Sequence, residues 1–158
     1  MEKIKVCSLC HKKSLHKSFL KLGYRILRCP HCLLYSLDFA GNYEKFLTTY
    51  YSKGFFTGGK LYRAYADYAG DKNTILKNLR KYLTVIRKFS PPETLVKGGK
   101  KSGKLLDLGC AMGFLIEEAR RWKYDPYGID VSSYAVEIAQ KLVGKDRAFL
   151  GRAEDLEK

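Results

Sequence analysis

Acidic residues are scarce in this chain: 16 Asp and Glu stand against 30 Lys and Arg, a formal net charge of +14 over 158 residues. Long apolar runs are missing as well. None approaches the roughly 20 residues that a membrane span needs, which excludes a spanning helix. The opening Met1-Glu2-Lys3-Ile4-Lys5 has no apolar signal core. A cytoplasmic protein with no membrane partner is the default expectation. Histidine is nearly absent too, with only His11, His16 and His31, so no histidine from the rest of the chain can serve as a general base. No catalytic residue is assigned from the sequence.

The positive charge is unevenly spread. Residues 1–36 carry eight Lys or Arg against Glu2, and residues 53–104 carry thirteen against three acids. Residues 105–158 are slightly acidic, with ten acids against eight bases. Such a field favours anionic partners, among them nucleic acid and phosphorylated metabolites, while a Lys-rich solvated surface accounts for it equally well.

Four of the five cysteines form two pairs, Cys7-Ser8-Leu9-Cys10 and Cys29-Pro30-His31-Cys32. Zinc takes four tetrahedral thiolate or imidazole ligands, and two such turns can close its shell. The spacing predicts a structural zinc ribbon over residues 1–36, its hairpin arm turning at Gly23. Disulfides are disfavoured by the missing signal and the odd fifth cysteine, Cys110. A redox pair is disfavoured because neither CxxC opens a helix after an apolar strand. His11 and His31 adjoin the ligand cysteines and are read as bystanders.

Residues 37–103 read as a connector. Its aromatics, among them Tyr50, Tyr51, Tyr62, Tyr65 and Tyr68, either stack on nucleobases or, the favoured reading, pack against the following domain. A short helix is expected within residues 61–68. A longer one begins at Asp71 as N-cap, with Ile75, Leu79, Tyr82, Leu83 and Ile86 along one apolar stripe, and ends at Pro91-Pro92. The glycine and lysine run over 97–103 is a basic loop. It lacks the strand and helix order of a phosphate-binding loop.

Residues 104–158 alternate β-α-β-α-β, which predicts a parallel sheet. Leu105-Leu106-Asp107-Leu108 is a strand, Gly109 permits a tight turn, and Gly113 permits close approach of a ligand or of neighbouring backbone. A second strand ends at Asp130, where a carboxylate can accept from ribose hydroxyls. Ser132 or Ser133 caps the next helix. Asp107 argues against a dinucleotide, since an acid faces pyrophosphate poorly but suits a cationic ligand.

At these residues the chain resembles class I S-adenosylmethionine-dependent methyltransferases, in the subgroup with an N-terminal zinc ribbon. Asp107-Leu108-Gly109-Cys110-Ala111-Met112-Gly113 is similar to that family's first motif, with Ala111 in place of the middle glycine. Gly128-Ile129-Asp130-Val131-Ser132 is similar to its second. The resemblance implies an α/β protein: a zinc ribbon on Cys7, Cys10, Cys29 and Cys32, then a partial Rossmann-like fold. It implies that Asp107 and the backbone of Gly109, Cys110, Ala111 and Gly113 hold the methionine portion of the cofactor. Asp130 would bind the ribose and Val131 would pack on adenine. The Ala153 amide, or the side chain of Glu154 or Asp155, would meet the adenine edge. Tyr62, Tyr65 and Tyr68 would cover the cofactor.

The family's sheet continues beyond a third strand, whereas this sequence stops at Lys158. Truncation is the simpler expectation, and a partner chain covering the open edge is the other. The implied activity is methyl transfer to a small or anionic acceptor, such as a metabolite or sugar nucleotide. The rival is a basic zinc-ribbon module for nucleic acid with a vestigial methyltransferase fold.

Overall fold

Two groups of contacts divide the computed structural model, which describes residues 2–59, 64–90 and 103–156, into units Met1–Tyr43 and Glu44–Lys158. The first unit is an antiparallel sheet of β1 (Glu2–Val6), β2 (Lys13–Lys21), β3 (Tyr24–Arg28) and β4 (Tyr35–Leu37), in that spatial order. The hairpin at Gly23 is present: Lys21 pairs with Tyr24 and Lys17 with Arg28. Leu22 and Gly23 have φ of 53° and 80°. Left-handed backbone at both central residues is what a two-residue hairpin turn matching the strand twist requires.

The cysteine pairs occupy the other two connections, and each is built by the same backbone bonds. Cys7 N–H donates to Lys12 O and His11 N–H to Cys7 O; Cys29 N–H donates to Leu34 O and Leu33 N–H to Cys29 O. His11 and Leu33, each four residues past its first cysteine, are both left-handed, with φ of 56° and 64°. Side chains alternate along strands, and here the buried set is Cys7, His16, Leu27 and Cys29. The opposite face, with Ile4, Leu15, Phe19 and Tyr35, is exposed.

The second unit contains α1 (Tyr43–Tyr50, from its second residue), α2 (Lys53–Phe56) and α3 (Lys72–Phe89) ahead of the parallel strands β5 (Lys104–Leu108), β6 (Asp125–Asp130) and β7 (Ala148–Leu150). The helices α4 (Phe114–Arg121) and α5 (Ser133–Val143) connect them, and the strand order is β5-β6-β7. The alternation expected from the sequence is thus present as a three-stranded parallel sheet.

From Glu44 onward the connector packs against the following domain, the favoured of the two readings of its aromatics. Phe56 of α2 and Leu76 of α3 are buried with Met112, Phe114 and Ala135, in one cluster that Tyr68, Ile75 and Leu79 extend. A four-residue helix cannot bury an apolar side chain by itself, so α2 draws its stability from this packing. Leu83 joins a second cluster with Leu105, Ala119 and Tyr124. Across α3 and α4, Arg80 donates to Glu118 at 2.8 Å. That guanidinium holds the buried Glu118 carboxyl below its usual range.

Three local expectations changed. On α3 the buried residues are Leu76 and Leu83, while Tyr82 is 61% exposed and Ile86 is also exposed. Both Leu76 and Ile75 sit at helical spacing from Leu79 and Leu83, and contact with α4 selects the flank that contains Leu76. Asp71 precedes α3 but its side chain accepts no cap bond. Of the helix expected within 61–68, residues 61–63 and Tyr62 among them lie outside the described residues, and 64–68 are not helical. Pro91, Pro92 and residues 97–102 also lie outside them. No helix among the described residues is long and apolar enough to cross a membrane.

Truncating Leu76 to Ala is expected to destabilise the second unit by about 2–4 kcal/mol in urea titration. Tyr82→Ala is expected to stay within about 0.5 kcal/mol of wild type. The reverse order would place the buried stripe on the other flank of α3.

Candidate functional site

The four paired cysteines converge. Their sulfurs all lie within 4.8 Å of one another, with Cys7–Cys32 at 3.5 Å and Cys10–Cys29 at 3.7 Å. A zinc ion bound tetrahedrally at about 2.3 Å would separate its sulfurs by about 3.8 Å. A disulfide needs about 2.05 Å, and all five cysteines are free thiols. The donor set therefore fits a thiophilic tetrahedral ion such as zinc.

Electrostatics supports a cation there. The amides of Cys10 and Leu9 hold the Cys7 thiol down at about 6. The Cys32 amide likewise draws the Cys29 thiol below its ordinary range. Cys32 moves the other way: despite the Leu34 amide, burial and the three neighbouring sulfurs push it up to about 12. The fourth thiolate is opposed by the others, and a divalent ion removes that opposition. His11 and His31 are exposed beside the cluster, and the four-cysteine group contains neither of them. His16 was not singled out as a core residue, yet it is 2% exposed on the sheet's covered face. It lines a cavity of about 210 Å³ together with Cys7 and Cys29.

The second site lies where β5 and β6 end. Gly109 N–H and Cys110 N–H both donate to Ile129 O, at 2.8 and 3.1 Å, so the glycine turn hangs from the adjacent strand. Gly109 has φ +81°, and a methyl group added to it would meet nothing within 4 Å. Gly113 is different: its added Cβ would lie 3.0 Å from Ala139 Cβ. Of the two roles the sequence allowed it, Gly113 serves close packing of α4 on α5. Ala111 is itself left-handed, at φ 46°, a conformation that costs a non-glycine residue roughly 1–2 kcal/mol.

Asp130 is buried and its carboxylate is engaged by the protein's own backbone. Ala111 N–H donates to Oδ2 and Ser132 N–H to Oδ1, each at 2.8 Å. Each carboxylate oxygen keeps further acceptor capacity. Ser132 Oγ accepts from Ala135 N–H and caps α5. Burial first, and then the charge of Asp130, push the Asp107 carboxyl up to about 6. Burial likewise raises the Cys110 thiol to about 12, with both carboxylates adding to the effect. Cys110 therefore stays protonated and is no nucleophile.

Aromatic side chains stand beside this carboxylate pair. The Tyr68 ring stacks on Phe114 with centroids 5.4 Å apart and meets Tyr65 edge-on at 4.7 Å. Burial, followed by Tyr65, Asp107 and Asp130, keeps the Tyr68 phenol protonated, pushed up to about 12. It is thus a hydrogen-bond donor within electrostatic reach of both acids.

A cavity of about 400 Å³ lies beyond Asp130, lined by Val131, Leu150, Gly151, Arg152 and Asp155, and on its other side by Glu44, Leu47 and Thr48 of α1. Arg152 pairs with Glu44 and Asp155 at its rim. Ala153 is exposed at the start of a single 3₁₀ turn and does not line this space. The α1 wall was missed from sequence. Its only signal was the spacing of Tyr43, Leu47 and Tyr50 along one helical face.

Chelation is expected to release one ion per chain and abolish amide protection in β1–β4 while leaving that of α3–α5, with Cys29→Ser doing the same. Elemental analysis with hydrogen exchange checks this, and protection surviving metal removal would contradict it. Asp107 has a folded value above its ordinary 3.8. The folded state therefore binds the extra proton, and stability is lost as pH rises from about 4 through about 6. Asp107→Asn is expected to be more stable than wild type at pH 7 by on the order of 1 kcal/mol, the gap closing by pH 4 in urea titrations. Set against known proteins, the sequence matches no protein-family model and no curated protein.

Proposed function

We propose that the second unit binds S-adenosylmethionine along the C-terminal ends of β5–β7, as the cofactor half of a partial Rossmann-like methyltransferase fold. The observation that carries this reading is the Asp107–Asp130 pair beside Gly109, whose Cα side opens on free space. A buried carboxyl whose proton affinity is raised by burial and by a neighbouring carboxylate is held ionised by a cation. When bound, the cofactor supplies a methyl group activated by a positively charged sulfonium.

The residues divide the ligand between them. Ionised Asp107 holds the cationic methionine end, with the backbone of residues 109–113 alongside. Asp130 spends one lone pair per oxygen on Ala111 and Ser132 and offers the rest to ribose hydroxyls. Val131, Leu150 and Leu47 supply apolar walls for adenine in the adjoining cavity. Tyr65 and Tyr68 stand over the methionine end and exclude water from it. The methyl acceptor is a small or anionic molecule, a metabolite or sugar nucleotide, in keeping with the net charge of +14. All three histidines belong to the first unit, so deprotonation of the acceptor does not fall to a histidine of the crevice's own unit. A zinc ion on the four cysteines is structural, since four sulfurs leave no open position.

Among the described strands, β5 pairs only with β6. Leu106 and Leu108 stand 49% and 57% exposed beside the free edge. That exposure supports a partner chain or further strand at this edge.

Calorimetry with S-adenosylhomocysteine, whose amino acid end is also cationic, tests the proposal on metal-loaded protein. Binding is expected at pH 7.5, weaker at pH 5 where Asp107 is protonated, and about tenfold weaker in Asp107→Asn, the cost of one charged hydrogen bond. No heat of binding from folded, metal-loaded protein would overturn the reading.

A further inference from the structure

The sheet of the first unit exposes the face that carries its apolar residues, and that face is also basic. Cross-strand register places Lys17 opposite Arg28 and Arg28 opposite Tyr35, with Phe19 opposite Ile26 and Lys21 opposite Tyr24. Residues directly opposite in an antiparallel pair share a face, so three aromatic rings and three cations alternate over one surface. Phe19, Tyr24 and Tyr35 are 46%, 59% and 57% exposed. Phe19 and Tyr35 meet edge-on at 6.1 Å, and the Arg28 guanidinium lies over the Tyr35 ring at 5.8 Å.

Charge decides what can cover this face. The unit has two acids, Glu2 and Asp38. Asp38 accepts from Lys3, whose partner in register is His16 on the opposite face. Glu2, on edge strand β1, is opposite Lys17 in register and so stands at the margin of this face, where it is outnumbered by Lys17, Lys21 and Arg28. Two copies joined face to face would set three cations of each copy against three of the other, with Glu2 at the β1 edge as the face's one carboxylate, which disfavours a symmetric dimer. A polyanion meets no such opposition. Exposed rings between cations are the arrangement that takes unpaired bases by stacking and the intervening phosphates by charge. Duplex bases are already stacked and offer the rings nothing.

We propose that this sheet face binds single-stranded nucleic acid, with Phe19, Tyr24 and Tyr35 as stacking surfaces and Lys17, Lys21 and Arg28 as phosphate contacts. The proposal does not depend on cofactor binding by the second unit. It gives the basic first unit a role beyond holding a metal ion.

Fluorescence anisotropy of the full, metal-loaded chain with a labelled mixed-sequence RNA of about 12 nucleotides tests it. The single strand is expected to bind more tightly than its own duplex. Its log–log salt slope is expected near −2, about 0.7 for each of three phosphate contacts. Phe19→Ala with Tyr35→Ala is expected to weaken binding at least tenfold at unchanged metal content. Lys17→Gln is expected to reduce the slope by about 0.7, which reads the surface even if the double variant loses its metal. Leu20→Ala, exposed on the opposite face opposite Arg25, is expected to bind as wild type. Equal affinity for duplex, or indifference to loss of both rings in metal-loaded protein, would overturn the proposal. So would absence of RNA binding, whether accompanied by self-association in sedimentation or by partition onto anionic vesicles.

Discussion

The Asp130 carboxylate accepts from the Ala111 amide with one oxygen and the Ser132 amide with the other, and so joins the turn after β5 to the start of α5. Three features depend on that junction. It favours the left-handed Ala111 that a non-glycine residue adopts at a cost. It leaves Gly109 projecting over open space. It also fixes the N-terminus of α5, whose Ala139 packs against Gly113. A residue expected only to receive a ligand is thus first a structural fastener. Both of its buried oxygens are met by backbone donors.

The first unit depends on a different constraint. Its strands bury little beyond His16 and Leu27 with the cysteines, too small a core for a sheet of four strands to stand on apolar burial alone. Its organising elements are two turns of identical hydrogen bonding that deliver four sulfurs to one point. Because the sulfurs organise the unit, its outer face is released from core duty. That is why apolar and aromatic side chains can stand there in water.

Much of this was legible in the sequence where the signal is local. The hairpin at Gly23, the convergence of two CxxC turns, the strand ending at Asp130 and the Ser132 cap each follow from a few adjacent residues. Features set by packing at a distance were not legible. Tyr43–Tyr50 contains two threonines, three aromatics and only one buried residue, Leu47, so helix propensity alone gives little warning of α1. The four-residue α2 contains a glycine and exists through Phe56 in the core. On α3, Leu76 and Ile75 fit the stripe equally well until α4 is placed. In the first sheet the strand sequences do not show which face is covered. That choice is made by the sulfur cluster.

The chain has a single tryptophan, Trp122, half-buried against Leu83, Leu105, Ala119 and Tyr124. The first unit has none. Intrinsic indole emission from the intact protein therefore reports the second unit alone, and a thiolate–metal absorption band would report the first. One sample carries two independent optical channels, one for each unit, without any label.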